Sequence, residues 1–471
     1  MPASVQQALQ RAGVPADALA AVALPLTHVD RPYRHRAEPP MQPGSAMKLV
    51  TGIVALDRLG LTHAGRTRLL TAALQDGGVL HGDVVLQGGG DPDFGIADLW
   101  QLMTELRDIG ITRIEGDLLI DRSRYRPARL DLTNTVIDQH VERWWNVDPD
   151  ALLLDGGLQQ VEITSDANGV RARMRPALQG VRFDTSGLRL NDLKCSDWDT
   201  EWQRPQAVDG ADGSVTVVLS GAFPRNCRRL EWLQVVERNR YAALAFAQIW
   251  RELGGQWAGR AREAPAPAGA RLLSERRGQP WAEVLRPLMK TSDNTQTRLL
   301  FLELGVPGMA AQPERRTIDI ARDVATRWFA EKGIPADGFV IDNGSGLSRS
   351  ERISAMTLAR LVQWAWNSRY SADFFMSLPV VGVDGTMRNR GRGTPAEGVA
   401  RLKTGTLSNV AALAGVVNDD EGRPWAVALM ANHAVGNAAL RPVLDAFVEH
   451  IARHGPHGPR EPVVGPSGVG P

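Results

Sequence analysis

Three short segments of this chain contain residues that could together activate a serine. The first is Ser45-Ala46-Met47-Lys48, in which a hydroxyl precedes an amine by three residues. An apolar stripe with helical spacing follows, and a glycine ends it: Leu49, Ile53, Leu56, Leu59 and Gly60. Because residues i and i+3 share a helix face, Ser45 and Lys48 are predicted to be neighbours at the start of a helix. A neighbouring amine and the positive end of the helix dipole can make a serine nucleophilic. The same residues also fit an N-cap serine followed by a solvated lysine.

Two further segments could supply the remaining groups. Ser292-Asp293-Asn294 lies in the predicted helical region 281–304, and Lys403-Thr404-Gly405 ends a predicted strand at 399–405. Each has a simpler explanation, since Ser-Asp-Asn is a common turn or cap triplet and Lys-Thr-Gly can end any strand. In this order, however, Ser-x-x-Lys, Ser-x-Asn and Lys-Thr-Gly resemble the three elements of the penicillin-recognising serine acyltransferases.

This resemblance gives each motif residue a role. Ser45 would attack the carbonyl of a D-Ala-D-Ala bond, and Lys48 would take the hydroxyl proton. Ser292 would pass that proton to the leaving amine, while Asn294 would hold the substrate amide and the Lys48 side chain. Lys403 would place a positive charge near the terminal carboxylate of the substrate.

The third motif would also bind the substrate through its backbone. Thr404 offers a hydroxyl to the carboxylate, and the strand edge from Lys403 through Gly405 to Thr406 can pair with an extended peptide. The backbone N–H groups of Ser45 and Thr406 are the expected oxyanion donors, each worth roughly 3–4 kcal/mol.

Composition excludes several other classes of protein. The 471 residues contain 54 Lys+Arg and 53 Asp+Glu, so the net charge of +1 does not indicate nucleic acid or an anionic membrane as a partner. No apolar run reaches the roughly 18–20 residues of a membrane span. No Cys-x-x-Cys or Cys/His cluster suggests a metal, and no cofactor is predicted. Cys195 and Cys227 fit either one disulfide in an exported protein or two thiols in a cytosolic one.

The order of predicted elements indicates a body built from both ends of the chain. Strand-like segments divided by Gly/Asp turns begin near residue 66, and short alternating strands dominate 159–235. These strands predict a β-rich lobe that a Cys195–Cys227 bond would close. Gly88-Gly89-Gly90-Asp91-Pro92 lacks the spacing of a phosphate loop and is interpreted as a turn. Residues 264–270 are predicted to link two bodies, and the Pro/Gly-rich end is predicted to be a mobile tail.

The spacing of the motifs distinguishes subfamilies. Ser45 and Ser292 are 247 residues apart, and Lys403 follows Ser292 by 111. This resembles the low-molecular-mass class C penicillin-binding proteins, D-alanyl-D-alanine carboxypeptidases/endopeptidases with two extra domains between the first and second motifs. Further matching segments are Gly88–Pro92, Ile114–Asp117 with Asp121–Ser123, Asp342–Arg349, Ser377–Gly382 and Asp384–Thr386. Gly44 departs from the pattern, because the family usually has alanine before the nucleophile.

The resemblance implies an α/β (α+β) fold, a penicillin-binding-protein/β-lactamase-like transpeptidase domain with a large β-rich two-lobed insertion. The expected domains are a discontinuous catalytic domain (1–66 with 271–455), inserted domain II (67–158 with 236–270), inserted domain III (159–235) and a tail (456–471). In the family an arginine and an aspartate hold the zwitterionic end of the diaminopimelate side chain. The matching residues are Arg349 and Asp155, with Leu407 and Ser408 lining the same pocket. Asp155 also fits a plain turn residue before two glycines.

The resemblance further implies peptidoglycan stem peptides as substrate, β-lactam antibiotics as covalent ligands, and a periplasmic or otherwise extracytoplasmic location. The chain opens without a signal sequence, which suggests a mature form. In that compartment Cys195 and Cys227 are expected to be joined. Two rival functions remain: a β-lactamase or esterase that uses the same triad, and a non-catalytic penicillin-binding scaffold. The sequence does not indicate an oligomeric state.

Overall fold

The computed structural model describes residues 1–133 and 142–458. Its helices, in chain order, are α1 (Ala3–Ala12), α2 (Lys48–Leu59), α3 (Ile96–Asp108), α4 (Arg238–Glu252), α5 (Trp281–Thr291), α6 (Asn294–Glu303), α7 (Thr317–Glu331), α8 (Ala355–Trp366), α9 (Ser371–Ser377) and α10 (Asn437–His454). Its strands are β1 (Leu19–Pro25), β2 (Tyr33–His35), β3 (Pro40–Met41), β4 (Arg66–Thr71), β5 (Gln75–Asp76), β6 (Val79–Leu80), β7 (Val84–Gln87), β8 (Arg113–Ile114), β9 (Leu118–Asp121), β10 (Gln159–Asp166), β11 (Gly169–Arg175), β12 (Val181–Asn191), β13 (Gln206–Asp209), β14 (Val215–Pro224), β15 (Arg228–Leu233), β16 (Gln256–Trp257), β17 (Ala261–Glu263), β18 (Arg271–Arg277), β19 (Ile353–Ser354), β20 (Ala400–Leu407), β21 (Val410–Asn418) and β22 (Pro424–Asn432). None of the helices in these two ranges is long and apolar enough to cross a membrane.

The chain divides into two compact units. The first unit combines residues 1–62, 281–293 and 318–471, and the second combines 63–280 and 294–317. Both units are therefore discontinuous in sequence. A simple insertion would interrupt only the first unit, but residues 294–317, predicted in the catalytic body, belong to the second.

The first unit is built on an antiparallel sheet with the strand order β2-β1-β22-β21-β20. Its two central strands, β21 and β22, are buried along nearly their whole length. Helices pack on both faces of the sheet, with α1 and α10 on one face and α8 on the other. Coverage of both faces explains why these strands are nearly continuous apolar runs instead of alternating ones.

The helix that carries the first motif is buried on almost every side. Within α2, all residues from Lys48 to Leu56 are buried, and the helix contacts α8 and α5. Gly52 explains the close contact with α5, because a Cβ there would lie 2.7 Å from the Met289 side chain. The predicted end of this helix at Gly60 is confirmed, and Gly60 has a φ of +82°.

The second unit contains several smaller sheets, and most of its buried apolar side chains form one large core. The strands before and after helix α3, β7 and β8, belong to the sheets β17-β9-β7-β4-β18 and β16-β8-β6-β5, respectively. The sheets β11-β10-β15 and β12-β14-β13 form the β-rich part predicted at 159–235. Apolar side chains from these elements and from α3 and α4 form a single cluster. A disulfide joins Cys195 to Cys227 in this unit.

Several predicted boundaries differ from the structure. Residues 271–280 were assigned to the catalytic body, but β18 pairs with β4 inside the second unit. Residues 264–270 are not a linker between bodies, because Ala264, Ala266 and Ala270 pack on apolar side chains of the second unit. The predicted helical region 281–304 is broken, since α5 ends at Thr291 and α6 starts at Asn294. The three-domain division stays a prediction, and most of the predicted tail (459–471) lies outside the described residues.

Candidate active site

The candidate nucleophile lies in a short 3-10 helix that leads directly into α2. This helix spans Gly44–Met47, and α2 continues from Lys48. The Lys48 Nζ lies 3.1 Å from Ser45 Oγ and donates to it. Ser45 is partly exposed, whereas Lys48 is fully buried. The structure thus leaves the hydroxyl partly accessible and buries the amine beside it.

A tight loop at residues 342–346 holds the other side of Lys48. Lys48 Nζ donates to the Ser345 carbonyl at 2.6 Å, and Thr51 Oγ1 donates to the Gly344 carbonyl at 2.7 Å. Gly346 follows with a φ of +83°, and a Cβ there would lie 1.9 Å from the Gly44 carbonyl oxygen. Only glycine allows the loop to approach the nucleophile's backbone so closely.

A buried carboxylate organises this loop. Glu351 is fully buried, and its Oε1 accepts hydrogen bonds from the backbone N–H groups of residues 342, 343 and 344 at 3.1, 3.0 and 2.8 Å. Burial raises the pKa of Glu351 to about 7, although these three N–H groups favour the carboxylate. Glu351 therefore fixes the loop whose carbonyl holds Lys48.

The second and third motifs meet at Lys403. Lys403 Nζ donates to Ser292 Oγ at 2.8 Å and to the Thr404 carbonyl at 2.9 Å. This lysine is fully buried on β20. Burial, and secondly the positive charge of Lys48, lower the pKa of Lys403 well below its usual value. The positive charge of Lys48 therefore disfavours protonation of Lys403 within the first unit.

Ser292 reaches this position through an uncommon backbone conformation. Its φ is +63°, in the left-handed region that few residues other than glycine adopt. It follows the last turn of α5, where Lys290 Nζ binds the Asp384 carboxylate at 2.6 Å. Such conformations cluster at functional sites, where the surrounding structure maintains them.

The end of β20 lies against the turn that carries the nucleophile. A Cβ on Gly405 would lie 2.0 Å from the Pro43 carbonyl oxygen, and a Cβ on Gly44 would lie 2.9 Å from the Thr406 backbone nitrogen. On the same strand, Thr404 Oγ1 donates to Thr386 Oγ1 at 2.9 Å. The backbone of Thr406 and the turn at Ser45 therefore form one surface, with glycine at both points of closest approach.

Each of the remaining predicted site residues, Asn294, Arg349, Leu407 and Ser408, has a position of its own in the fold. Asn294 starts α6 in the second unit, where its Nδ2 donates to the Trp145 carbonyl at 3.0 Å. Arg349 follows the loop at 342–346 and is exposed, and its carbonyl accepts from Gln42 Nε2. Leu407 is the last residue of β20, and Ser408, which follows the strand, is exposed.

Asp155 lies in an irregular turn of the second unit with a φ of +50°. Its Oδ2 accepts from the Tyr241 hydroxyl at 2.6 Å, and its Oδ1 accepts from the Ile96 N–H at 3.2 Å. Burial raises the pKa of this carboxyl group. These contacts give Asp155 a structural role, and its predicted contact with diaminopimelate stays a prediction.

Sequence reasoning missed the groups that support the motifs. Ser345 lies in a segment that was matched to the family, but its carbonyl could have been recognised only from the position of Lys48. Glu351 carries no local signal, since a glutamate in the polar run 348–352 is typical of a surface. No group of three or more His, Cys, Asp or Glu in the described ranges is arranged to hold a metal ion.

The fold is that of a penicillin-binding protein. The structure superposes on the crystal structure of penicillin binding protein 4 (dacB) from Haemophilus influenzae with a TM-score of 0.78 and 21% identity, covering 96% of this chain and 100% of that one. The same protein is also known in complex with a novel β-lactam, and that structure gives a TM-score of 0.76. The predicted fold class is confirmed by this likeness.

A family model for the D-Ala-D-Ala carboxypeptidase 3 (S13) family matches residues 1–454, and the chain belongs to this family. Among curated proteins it is 29% identical over 446 residues to a D-alanyl-D-alanine carboxypeptidase of Actinomadura sp. (strain R39), covering 88% of this chain and 77% of that protein. It is 24% identical over 385 residues to D-alanyl-D-alanine carboxypeptidase DacB of Haemophilus influenzae, covering 81% and 78%. The chain is therefore a serine hydrolase of the D-Ala-D-Ala carboxypeptidase type, which confirms the predicted class of enzyme.

Proposed function

We propose that the enzyme removes the terminal D-alanine of peptidoglycan stem peptides, and also cleaves D-Ala-diaminopimelate cross-links, through an acyl-enzyme on Ser45. The observation that supports this most strongly is the position of Lys48, whose Nζ is 3.1 Å from Ser45 Oγ and is held from behind by the Ser345 carbonyl. An amine fixed at this distance satisfies the geometric requirement for a general base.

In the acylation step, Lys48 in its amine form takes the proton as Ser45 Oγ attacks the carbonyl carbon of the penultimate D-alanine. The backbone N–H groups of Ser45 and Thr406 stabilise the resulting oxyanion. Collapse of the tetrahedral intermediate expels the amine of the leaving group, which receives a proton through Ser292. The Ser292 hydroxyl is suited to this role because it already accepts a hydrogen bond from Lys403.

Water then hydrolyses the ester, with Lys48 again as the base. Lys403 Nζ and the Thr404 hydroxyl donate hydrogen bonds to the terminal carboxylate of the substrate, while Asn294 binds its amide. β-Lactams acylate the same serine, and the resulting ester is hydrolysed slowly. The exposed guanidinium of Arg349 supports recognition of a carboxylate on the third residue of the stem peptide, with Asp155 as the predicted partner for its amine.

An extracytoplasmic location belongs to the same proposal. Peptidoglycan is outside the cytoplasm, and the Cys195–Cys227 disulfide is of a kind that persists in oxidising compartments. Both observations favour an exported enzyme.

The test is digestion of purified muropeptides by the wild type, by Ser45→Ala and by Arg349→Gln. The substrates are a pentapeptide with diaminopimelate at position three, the same peptide with lysine there, and a cross-linked dimer. We expect the wild type to release D-alanine from the pentapeptides and to split the dimer, and Ser45→Ala to do neither. Arg349→Gln should lose the preference for diaminopimelate.

Rapid turnover of nitrocefin without any D-alanine release would instead indicate a β-lactamase. Absence of all hydrolysis by the wild type, with β-lactam binding retained, would indicate a non-catalytic scaffold. An intact dimer alongside cleaved pentapeptides would restrict the activity to carboxypeptidase.

A further inference from the structure

One face of the β11-β10-β15 sheet in the second unit has an unusual composition for a surface. Pairing places Glu162 opposite Arg173 on β11 and opposite Leu230 on β15. Directly paired residues of antiparallel strands point to the same side of the sheet. Glu162, its paired residues and every second residue along each strand therefore form one face. Its members are Gln160, Glu162, Thr164, Asp166, Arg171, Arg173, Arg175, Arg228, Leu230 and Trp232. We call this set the arginine face.

The opposite side of the same sheet belongs to the core. Val161 and Ile163 on β10, Met174 on β11 and Leu233 on β15 are all buried in the apolar cluster of the second unit. This burial fixes the register, because a shift by one residue would exchange the two faces. The arginine face is therefore held toward solvent by the packing of the other side.

A single buried carboxylate arranges the arginines. The Glu162 side chain is only 4% exposed, yet it binds Arg173 at 2.5 Å, Arg175 at 3.0 Å and Arg228 at 2.6 Å. Hydrogen bonds from Arg173, and then from Arg228, hold the pKa of Glu162 below its usual value, so the carboxylate stays charged. The arginines themselves remain accessible, with Arg173 66% and Arg228 68% exposed.

The net charge of the face is positive. Four guanidinium groups, from Arg171, Arg173, Arg175 and Arg228, stand against the carboxylates of Glu162 and Asp166, and Asp166 pairs with Arg171. Each guanidinium has five N–H donors in a planar fork, so an arginine that binds Glu162 retains donors for a second anion. Glu162 thus orients the arginines and leaves some of their N–H groups available to donate to an anionic ligand.

Apolar groups lie beside these charges. Leu230 and Trp232 are each 45% exposed on the same face, which is high for large apolar side chains. A cleft of about 710 Å³ borders the arginines and is lined by Glu162, Thr164, Arg171, Arg173, Phe183 and Arg228, among others. An indole on the same sheet face as guanidinium groups suits a ligand with flat apolar ring faces and acidic substituents.

We propose that the arginine face is a docking surface for the peptidoglycan polymer, distinct from the catalytic residues of the first unit. The polymer has sugar rings that can stack on Trp232, and its stem peptides carry free carboxylates that complement the arginines. This inference rests on the proposed function, because it takes the polymer as the physiological substrate. The face would recruit insoluble glycan strands and would have no effect on small soluble peptides.

The experiment measures co-sedimentation with purified peptidoglycan in a Ser45→Ala background, so that the polymer is not digested. The variants are Arg173→Gln with Arg228→Gln, and separately Trp232→Ala. The matched control removes two other exposed arginines of the same unit, Arg189→Gln with Arg204→Gln. The peptidoglycan is first treated with hydrofluoric acid to remove phosphate-bearing polymers.

We expect each test variant to weaken binding by about fivefold or more, while the control stays within about twofold of the parent. Binding of the parent should weaken with added salt, because the arginine contacts are electrostatic. When the same substitutions are made in the active enzyme, with Ser45 intact, kcat/KM for a soluble pentapeptide should not change. Thermal melting verifies folding, and Trp232→Ala keeps the test valid if loss of arginines around Glu162 unfolds the unit.

Equal binding of the test and control variants would overturn the proposal. Loss of binding after hydrofluoric acid treatment would also overturn it, since the ligand would then be a phosphate polymer. Failure of the proposed function is distinguishable, because absence of pentapeptide hydrolysis would leave the sedimentation result unaffected.

Discussion

Lys403 Nζ lies 2.8 Å from Ser292 Oγ. This contact joins β20, which carries the third motif, to Ser292 of the second motif, which lies between α5 and α6. The two residues are far apart in sequence, and Ser292 meets Lys403 only because it adopts a left-handed conformation at the end of α5. The same lysine is fully buried, and the charge of Lys48 contributes to the lowering of its pKa. The two lysine-serine pairs are therefore electrostatically coupled.

Replacement of Lys403 by methionine should change the pH dependence of stability. The folded-state pKa of Lys403 is below the unfolded value, so between these values the unfolded state binds more protons and the wild type gains stability as pH rises. Lys403→Met lacks this gain. Denaturant unfolding at pH 7 and 9.5 should show the wild type gaining free energy of unfolding relative to the variant, by no more than about 1.4 kcal/mol per pH unit. Parallel pH profiles of the two proteins would contradict the assignment.

Glu351 should produce the opposite trend. Its folded-state pKa of about 7 exceeds the unfolded value of 4.5, so its contribution to stability is complete below pH 4.5 and is lost as pH rises through 7. The difference amounts to about 3 kcal/mol. Glu351→Gln should abolish this decline between pH 5 and 8, as measured by denaturant unfolding.

The same residue should affect acylation through the loop at 342–346. Glu351→Ala leaves three buried N–H groups without their acceptor, at about 1–3 kcal/mol each, whereas Glu351→Gln retains one acceptor oxygen. The rate of acylation by benzylpenicillin, measured by stopped flow, should therefore fall much further in the alanine variant. Equal rates in both variants would show that the loop holds Lys48 without Glu351.

Gly44 should not tolerate replacement by alanine. Its φ is +50°, and a Cβ would lie 2.9 Å from the Thr406 nitrogen, so Gly44→Ala should destabilise the site by about 1–3 kcal/mol and slow acylation. Gly13→Ala is the matched control, because Gly13 has a φ of +64° with no atom within 4 Å of its Cβ position. The control should lose stability but acylate normally. A Gly44→Ala enzyme of wild-type rate would contradict the contact.

The disulfide should stabilise the second unit through loop closure. Cys195 and Cys227 are 32 residues apart, and a cross-link of that length restricts the unfolded chain by about 4 kcal/mol at most. The Cys195→Ser, Cys227→Ser double variant should therefore unfold at lower denaturant concentration. Adding a reductant should shift the wild type to the same midpoint and leave the double variant unchanged. A wild type indifferent to reductant would argue against the bond.

The sequence predicted the elements with strong local patterns. The stripe from Leu49 to Leu59 defined α2, and the continuous apolar runs at 410–418 and 424–432 defined the hairpin of β21 and β22. Ser45 and Lys48 were placed together correctly because helical spacing alone brings them into contact. These are local effects that a single sequence records.

The errors arose where distant segments decide the structure. The break between α5 and α6 coincides with the contact of Ser292 with Lys403, and the pairing of β18 with β4 joins strands about two hundred residues apart. Alanine and proline at 264–270 suggested a linker, yet small apolar side chains also pack well on a sheet. Glu351 was missed because burial of a carboxylate is a tertiary property.

The proposed mechanism requires Ser45 to be the residue that is acylated. The most direct measurement is mass spectrometry of the protein after brief exposure to benzylpenicillin, with peptide mapping of the adduct and with Ser45→Ala in parallel. We predict one penicilloyl group per wild-type molecule, located on the peptide that contains Ser45, and none on the variant. An adduct of equal yield on Ser45→Ala, or one mapped to any other residue of the wild type, would contradict the mechanism.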